Sequence, residues 1–332
     1  VARPHAMKQA RHPRELNAAG TPIALAAGFF DGLHRGHQVV LRAAIDWARR
    51  HRGTPWVMTF DIHPARILQP DRAPPLLTST RHKLALLERT GLEGCLLLTF
   101  NPARARQEPE AFLEWLFRQA PAIRALFVGE NWRFGRQGRG DIALLRRFAE
   151  PRGICVHTLP PKTAGGIPIS STRIRAAIRE GQLDLAARLI GRPFSLMATV
   201  IRGRRLGRRL GFPTANLAPD NEVRPPLGVY AVRARVGDRI HDGVLNYGRR
   251  PTLGAPAEPL MELHLLDTRI SLYGQSIEVF WGPRLREERA FPTLAALTRQ
   301  IRRDVRAARK ALAQPAQKKL WKKTLQELQI RL

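Results

Sequence analysis

Gly28-Phe29-Phe30-Asp31-Gly32-Leu33-His34-Arg35-Gly36-His37 is the stretch on which the reading of the fold turns. It follows an apolar run, Pro22 to Ala27, that reads as a buried strand. It precedes Val39-Val40-Leu41 and Ala43-Ala44-Ile45, which recur at helical spacing. A glycine-rich turn from strand into helix lets backbone N–H groups approach a ligand closely, and the helix start favours an anion. His34 and His37, three residues apart with Gly36 between them, can aim imidazole N–H donors at one phosphate. The competing reading is a structural turn with two solvated histidines. The full pattern of glycines, aspartate and paired histidines favours phosphate binding.

Outward from this turn, strands and helices alternate. Pro55–Phe60, Gly94–Phe100, Ala125–Gly129 and Ile154–Leu159 read as strands; Gln38–Arg50, Thr80–Arg89, Glu108–Gln119 and Ile142–Ala149 read as helices. Such alternation predicts a parallel sheet with helices on both faces, binding ligands beyond the carboxyl ends of its strands. The unusual loops follow strands, after Ala27, Phe60, Val128 and Leu159. Residues 1–20 are polar and basic and predict a short extended segment. Ser170–Glu180 and Leu183–Ile190 read as a helical pair ending at Gly191-Arg192-Pro193, which sets a boundary between 21–190 and 191–313. Beyond it, short strands separated by turn residues predict a small antiparallel β-barrel with one helix, Leu294 to about Leu312. Pro315 breaks the chain. The basic tail, 314–332, carries Leu320, Trp321, Leu325 and Leu328 at helical spacing and reads as a solvated or interface helix.

The length, 332 residues, suits two domains. No apolar run approaches membrane-spanning length, and Arg3, His5, Lys8, Arg11, His12 and Arg14 interrupt any secretory leader. Cys95 and Cys155 sit in apolar runs and read as buried thiols of a reducing, cytoplasmic compartment. The net charge of +29 admits nucleic-acid binding as well as an enzyme with acidic substrates such as ATP. The charge is spread along the chain and not blocked into one arm, which weighs against the nucleic-acid reading.

Two further segments carry phosphate chemistry. Ile169-Ser170-Ser171-Thr172-Arg173-Ile174-Arg175 puts hydroxyls at a helix start with an arginine one turn on; capping alone would explain the hydroxyls, and Arg175 extends the reading to a polyphosphate. Gly203-Arg204-Arg205-Leu206-Gly207-Arg208-Arg209-Leu210-Gly211-Phe212-Pro213-Thr214-Ala215-Asn216 spaces three glycines four apart among arginines. Such a loop suits wrapping a polyphosphate with backbone N–H groups.

The first turn together with Ile169–Arg175 resembles the HxGH nucleotidyltransferases. Gly129-Glu130-Asn131-Trp132-Arg133-Phe134-Gly135 and Thr59-Phe60-Asp61-Ile62-His63-Pro64 narrow the resemblance to prokaryotic bifunctional riboflavin kinase/FMN adenylyltransferases. The implied fold is a Rossmann-like α/β nucleotidyltransferase domain followed by a riboflavin kinase-like antiparallel barrel with a C-terminal helix. The resemblance implies that riboflavin, FMN and ATP are substrates, FAD the final product, and Mg²⁺ the cofactor. It implies that His34 and His37 stabilise the ATP α-phosphate, and that Gly28, Gly36, Ser171, Thr172 and Arg175 bind ATP phosphates. Asn131 and Asp141 are implied at the flavin site. In the second domain it implies ATP closure by Gly203, Gly207 and Gly211, metal and phosphate binding by Thr214 and Asn216, and proton removal by Glu262. On a strand, Glu262 would point away from the face carrying Met261 and Leu263. Two positions depart from the family pattern: Phe29 stands where a small polar residue, most often Asn, is usual, and Ile62 where Pro is usual. The first leaves a kinase without adenylyl transfer as the alternative activity.

Overall fold

The computed structural model describes residues 6–203, 207, 211–249, 259–268 and 270–327. Two compact units emerge, one of residues 1–76 with 80–171, the other of 77–79 with 172–332.

In the first unit β1 (Lys8–Ala10), β2 (Ile23–Ala27), β3 (Thr54–Phe60), β4 (Gly94–Leu98), β5 (Ile123–Gly129) and β6 (Cys155–Leu159) form one sheet. Their order is β1-β4-β3-β2-β5-β6, and every pairing is parallel. β2 is central because all five of its residues are apolar and none is more than 3% exposed. The chain reverses direction of winding between β2 and β5, which opens a crevice at their carboxyl ends. α1 (Arg35–Arg50) buries Val40, Leu41, Ala44, Ile45, Trp47 and Ala48 on one face, the stripe expected of an amphipathic helix over a sheet. α2 (Ala65–Leu68), α3 (Thr80–Glu88), α4 (Pro102–Arg106), α5 (Pro109–Gln119) and α6 (Ile142–Ala149) follow in the connections.

The amino-terminal segment is more structured than its polarity suggests. β1 adds an edge strand beside β4, and a 3₁₀ turn, Pro13–Ala19, is started by a capping box between His12 and Glu15. Met7, Ala10 and Leu16 are buried, three anchors too few to give a periodic signal. Cys155 also departs from expectation: Cys95 is buried, but Cys155 is exposed, because β6 is an edge strand.

The second unit begins along α7 (Ser171–Arg179) and continues with α8 (Leu183–Ile190). β9 (Ser195–Ile201), β10 (Ala215–Pro219), β11 (Gly228–Val236), β12 (Arg239–Gly248), β13 (Leu260–Leu265) and β14 (Ser276–Arg286) then close into an antiparallel barrel. α9 (Leu294–Leu312) packs Ala308 and Leu312 with Val229, Ala231 and Val244 on the barrel's outer wall. Pro315 opens a further helix, α10 (Pro315–Glu327), as proline does at a first helical turn. The tail packs on the barrel: Trp321 stands edge-on to Phe280 at 5.0 Å, and the Arg233 guanidinium lies 4.9 Å from its ring. Arg204, Arg205, Arg208, Arg209 and Leu328 lie outside the described residues.

Candidate active sites

The strand-to-helix turn is built from uncommon backbone. Phe30 and Leu33 adopt left-handed φ values of 58° and 41°, so the turn holds local strain that its surroundings must fix. His34 caps α1, its Nδ1 accepting the His37 N–H at 3.3 Å. That bond leaves the neutral ring's proton on Nε2. The two imidazoles stack with centroids 3.5 Å apart and planes 17° apart. Gly36 makes this possible: a Cβ there would come within 3.1 Å of the His34 ring. Burial, then the neighbouring His34 and Lys83, hold the His37 pKa well below the usual histidine range. His37 is therefore a neutral imidazole at pH 7. Ser171 Oγ donates to the Asp31 carbonyl at 3.1 Å, tying the start of α7 to the turn. Thr172 and the buried Arg175 continue along α7 in the second unit.

A 290 Å³ pocket opens at the carboxyl edge of the sheet, lined by loops after β2, β3, β4 and β5. Gly28 and Phe29 form one wall; Phe60, Phe100, Phe112, Trp132 and Phe134 supply flat aromatic surface. Trp132 and Phe134 stack at 4.6 Å. Of the residues expected at the flavin, Asn131 is exposed and does not line this pocket. Asp141 caps α6, accepting from the Leu144 N–H at 2.9 Å, and lies 3.5 Å from Arg133, which does line it. His63 accepts the Ala65 N–H at 3.1 Å and meets the Phe29 ring edge-on at 4.5 Å.

Lys83 is a residue that sequence reasoning passed over. It is 2% exposed, and its ammonium donates to the Phe29 carbonyl, Thr59 Oγ1 and the Phe60 carbonyl at 3.1, 3.1 and 2.8 Å. Burial lowers its pKa to about 8, against the opposing pull of Asp31, Cys95 and Asp61.

In the second unit the register places chemistry side by side. Asn216 of β10 and Asn246 of β12 both pair with Glu262 of β13, so the three side chains share one face of the barrel wall. Met261 and Leu263 are buried on the other face, and Glu262 is half-buried. The glycines converge here. A Cβ on Gly203 would strike the Asn216 amide, and one on Gly207 would strike the Phe212 carbonyl and come within 2.9 Å of Thr214 Oγ1. His264 donates from Nδ1 to the Pro213 carbonyl at 2.8 Å and steadies the loop that carries Thr214 into β10. A 430 Å³ cavity beside them is lined by Gly211, Thr214 and Ala215 and by the chain from Ile270 to Tyr273. Glu262 does not line that cavity.

Comparison with known proteins agrees with this division. The FAD synthetase family model matches residues 17–173, and the riboflavin kinase family model matches residues 190–312. The chain is 36% identical over 295 residues to the bifunctional riboflavin kinase/FMN adenylyltransferase of Escherichia coli K12, covering 88% of this chain and 94% of that one. The chain belongs to the bifunctional riboflavin kinase/FMN adenylyltransferase family. A second member of that family, from Bacillus subtilis strain 168, is 35% identical over 303 residues, covering 90% of this chain and 95% of the relative. A solved structure from Streptococcus pneumoniae, described as a macrolide-efflux protein, superposes with a TM-score of 0.79 at 27% identity, covering 92% of this chain and 99% of that one. That description stays with the other protein, since both family models and the curated relatives agree on flavin chemistry. No helix among the described residues is long and apolar enough to cross a membrane.

Proposed function

We infer that the chain converts riboflavin to FMN in its barrel unit and FMN to FAD in its parallel-sheet unit, with ATP the donor in both. One observation carries the reading. The turn that presents the stacked histidines also walls, through Gly28 and Phe29, a pocket of flat aromatic surface suited to an isoalloxazine ring. The family assignment favours this reading over a nucleic-acid-binding protein. The FAD synthetase match runs through Phe29, which favours adenylyl transfer over a kinase alone.

In adenylyl transfer the FMN phosphate attacks the ATP α-phosphorus and pyrophosphate leaves. The phosphate is already ionised, so the step needs positioning and charge stabilisation rather than a strong base. His34 and the neutral His37 act as N–H donors, supported by the positive end of α1. Ser171, Thr172 and Arg175 act on the remaining phosphates.

In phosphorylation the riboflavin primary hydroxyl attacks the γ-phosphorus and ADP leaves. That hydroxyl must lose its proton, and Glu262 is the base. Thr214 and Asn216 suit Mg²⁺: they offer neutral oxygens, the adjoining glycines present no Cβ to them, and Mg²⁺ at phosphates needs few protein ligands. When bound, the ion neutralises phosphate charge. The free thiols Cys95 and Cys155 suit a reducing, cytoplasmic setting.

Two variants test the assignment. Glu262→Gln is expected to lower FMN formation from riboflavin by about a hundredfold or more while leaving FAD formation from FMN intact. His37→Ala is expected to do the reverse. Parallel loss of both activities in either variant would remove the two-site reading.

A further inference from the structure

We propose that Lys83 is a positioning residue for adenylyl transfer, holding the Phe29 carbonyl and with it the backbone that carries the histidine pair and walls the aromatic pocket. The assignment rests on the FMN adenylyltransferase reading of the first unit.

An ammonium has three protons to donate. All three are engaged by the Phe29 carbonyl, Thr59 Oγ1 and the Phe60 carbonyl, so none is left for a substrate phosphate. The group therefore acts through its partners. Those partners join the ends of β2 and β3 at the carboxyl edge of the sheet. Thr59 Oγ1 also donates to the Phe29 carbonyl at 2.9 Å, so that carbonyl is held twice. The ammonium lies 4.0 Å from the centroid of the Phe29 ring. The aromatic side chain thus supplies a cation–π contact and a pocket wall where a small polar residue would supply a hydrogen bond.

Immediately after this doubly held carbonyl the chain enters the left-handed conformation at Phe30 that leads to His34 and His37. Strained backbone persists only where its surroundings over-determine it. Lys83 is placed to do that from α3, on the other side of β3 in sequence. A buried ammonium is costly to desolvate, and packing alone would be served by methionine at that position. The charge is thus explained by what it does to the turn. Asp31, Asp61 and Cys95 face it, and its own field reaches His37.

The test compares wild type, Lys83→Met and Lys83→Arg for FAD formation from FMN, with FMN formation from riboflavin measured on the same preparations. Lys83→Met is expected to lower kcat for FAD formation at least about tenfold, with a smaller change in KM for FMN. FMN formation should not change. Lys83→Arg, which keeps charge and donors, should recover part of the loss. A kcat within twofold of wild type overturns the proposal, as does an equal fall in both activities or a loss undiminished in Lys83→Arg. If the wild-type chain makes FMN but no FAD, the adenylyltransferase reading fails and this proposal falls with it; FAD formed by wild type and undiminished in Lys83→Met overturns the proposal alone.

Discussion

Lys83 and His37 give the first site a pH signature. The Lys83 pKa of about 8 lies below its ordinary value of 10.5 because burial disfavours the ammonium. Between those values the unfolded chain holds a proton that the folded chain has released, so stability from this group rises with pH. The grip on Phe29 weakens over the same range. FAD formation should therefore fall as pH passes about 8 while resistance to urea does not, and the fall should be absent in Lys83→Arg. Rates and urea midpoints from about pH 7 to 9.5 would show whether the two diverge. At the other site, Gly207→Ala should lower riboflavin phosphorylation about tenfold or more by pushing on Thr214, with FAD formation from FMN as the unaffected control. The histidine pair and the glycine loop were legible in the sequence because their chemistry is local. Lys83 was not, because a lone lysine in a polar helix start reads as solvated until the fold buries it. The family resemblance pointed to Asn131 and Asp141 in this loop; the structure adds Trp132 and Phe134 as pocket walls, with Asp141 paired to the lining Arg133.

The alternation of strands and helices survives in the structure, and the difficulties lie at the edges. β1 was invisible because three residues carry too little pattern, and Cys155 was misjudged because an apolar run does not say whether its strand is central or terminal. The amphipathic tail was visible, but its partner was not, since Phe280 is distant in sequence and meets Trp321 only through the barrel. Trp321 is 7% exposed, so Trp321→Ala should cost the barrel unit about 3 kcal/mol through lost packing. Denaturant unfolding followed with a probe in that unit measures it. An unchanged midpoint would mean the tail contributes no stability.

At the scale of the whole molecule, one chain carries an FAD synthetase domain and a riboflavin kinase domain, and the product of one reaction is the substrate of the other. A mixture of His37→Ala and Glu262→Gln chains should therefore make FAD from riboflavin although neither chain does so alone. The central claim is that one chain performs both steps. Its most direct test is to incubate the wild-type protein with riboflavin, ATP and Mg²⁺ and separate the flavins by chromatography over time. Riboflavin should give FMN first and FAD after it; FMN accumulating without FAD, with none formed when FMN is supplied directly, would contradict the account.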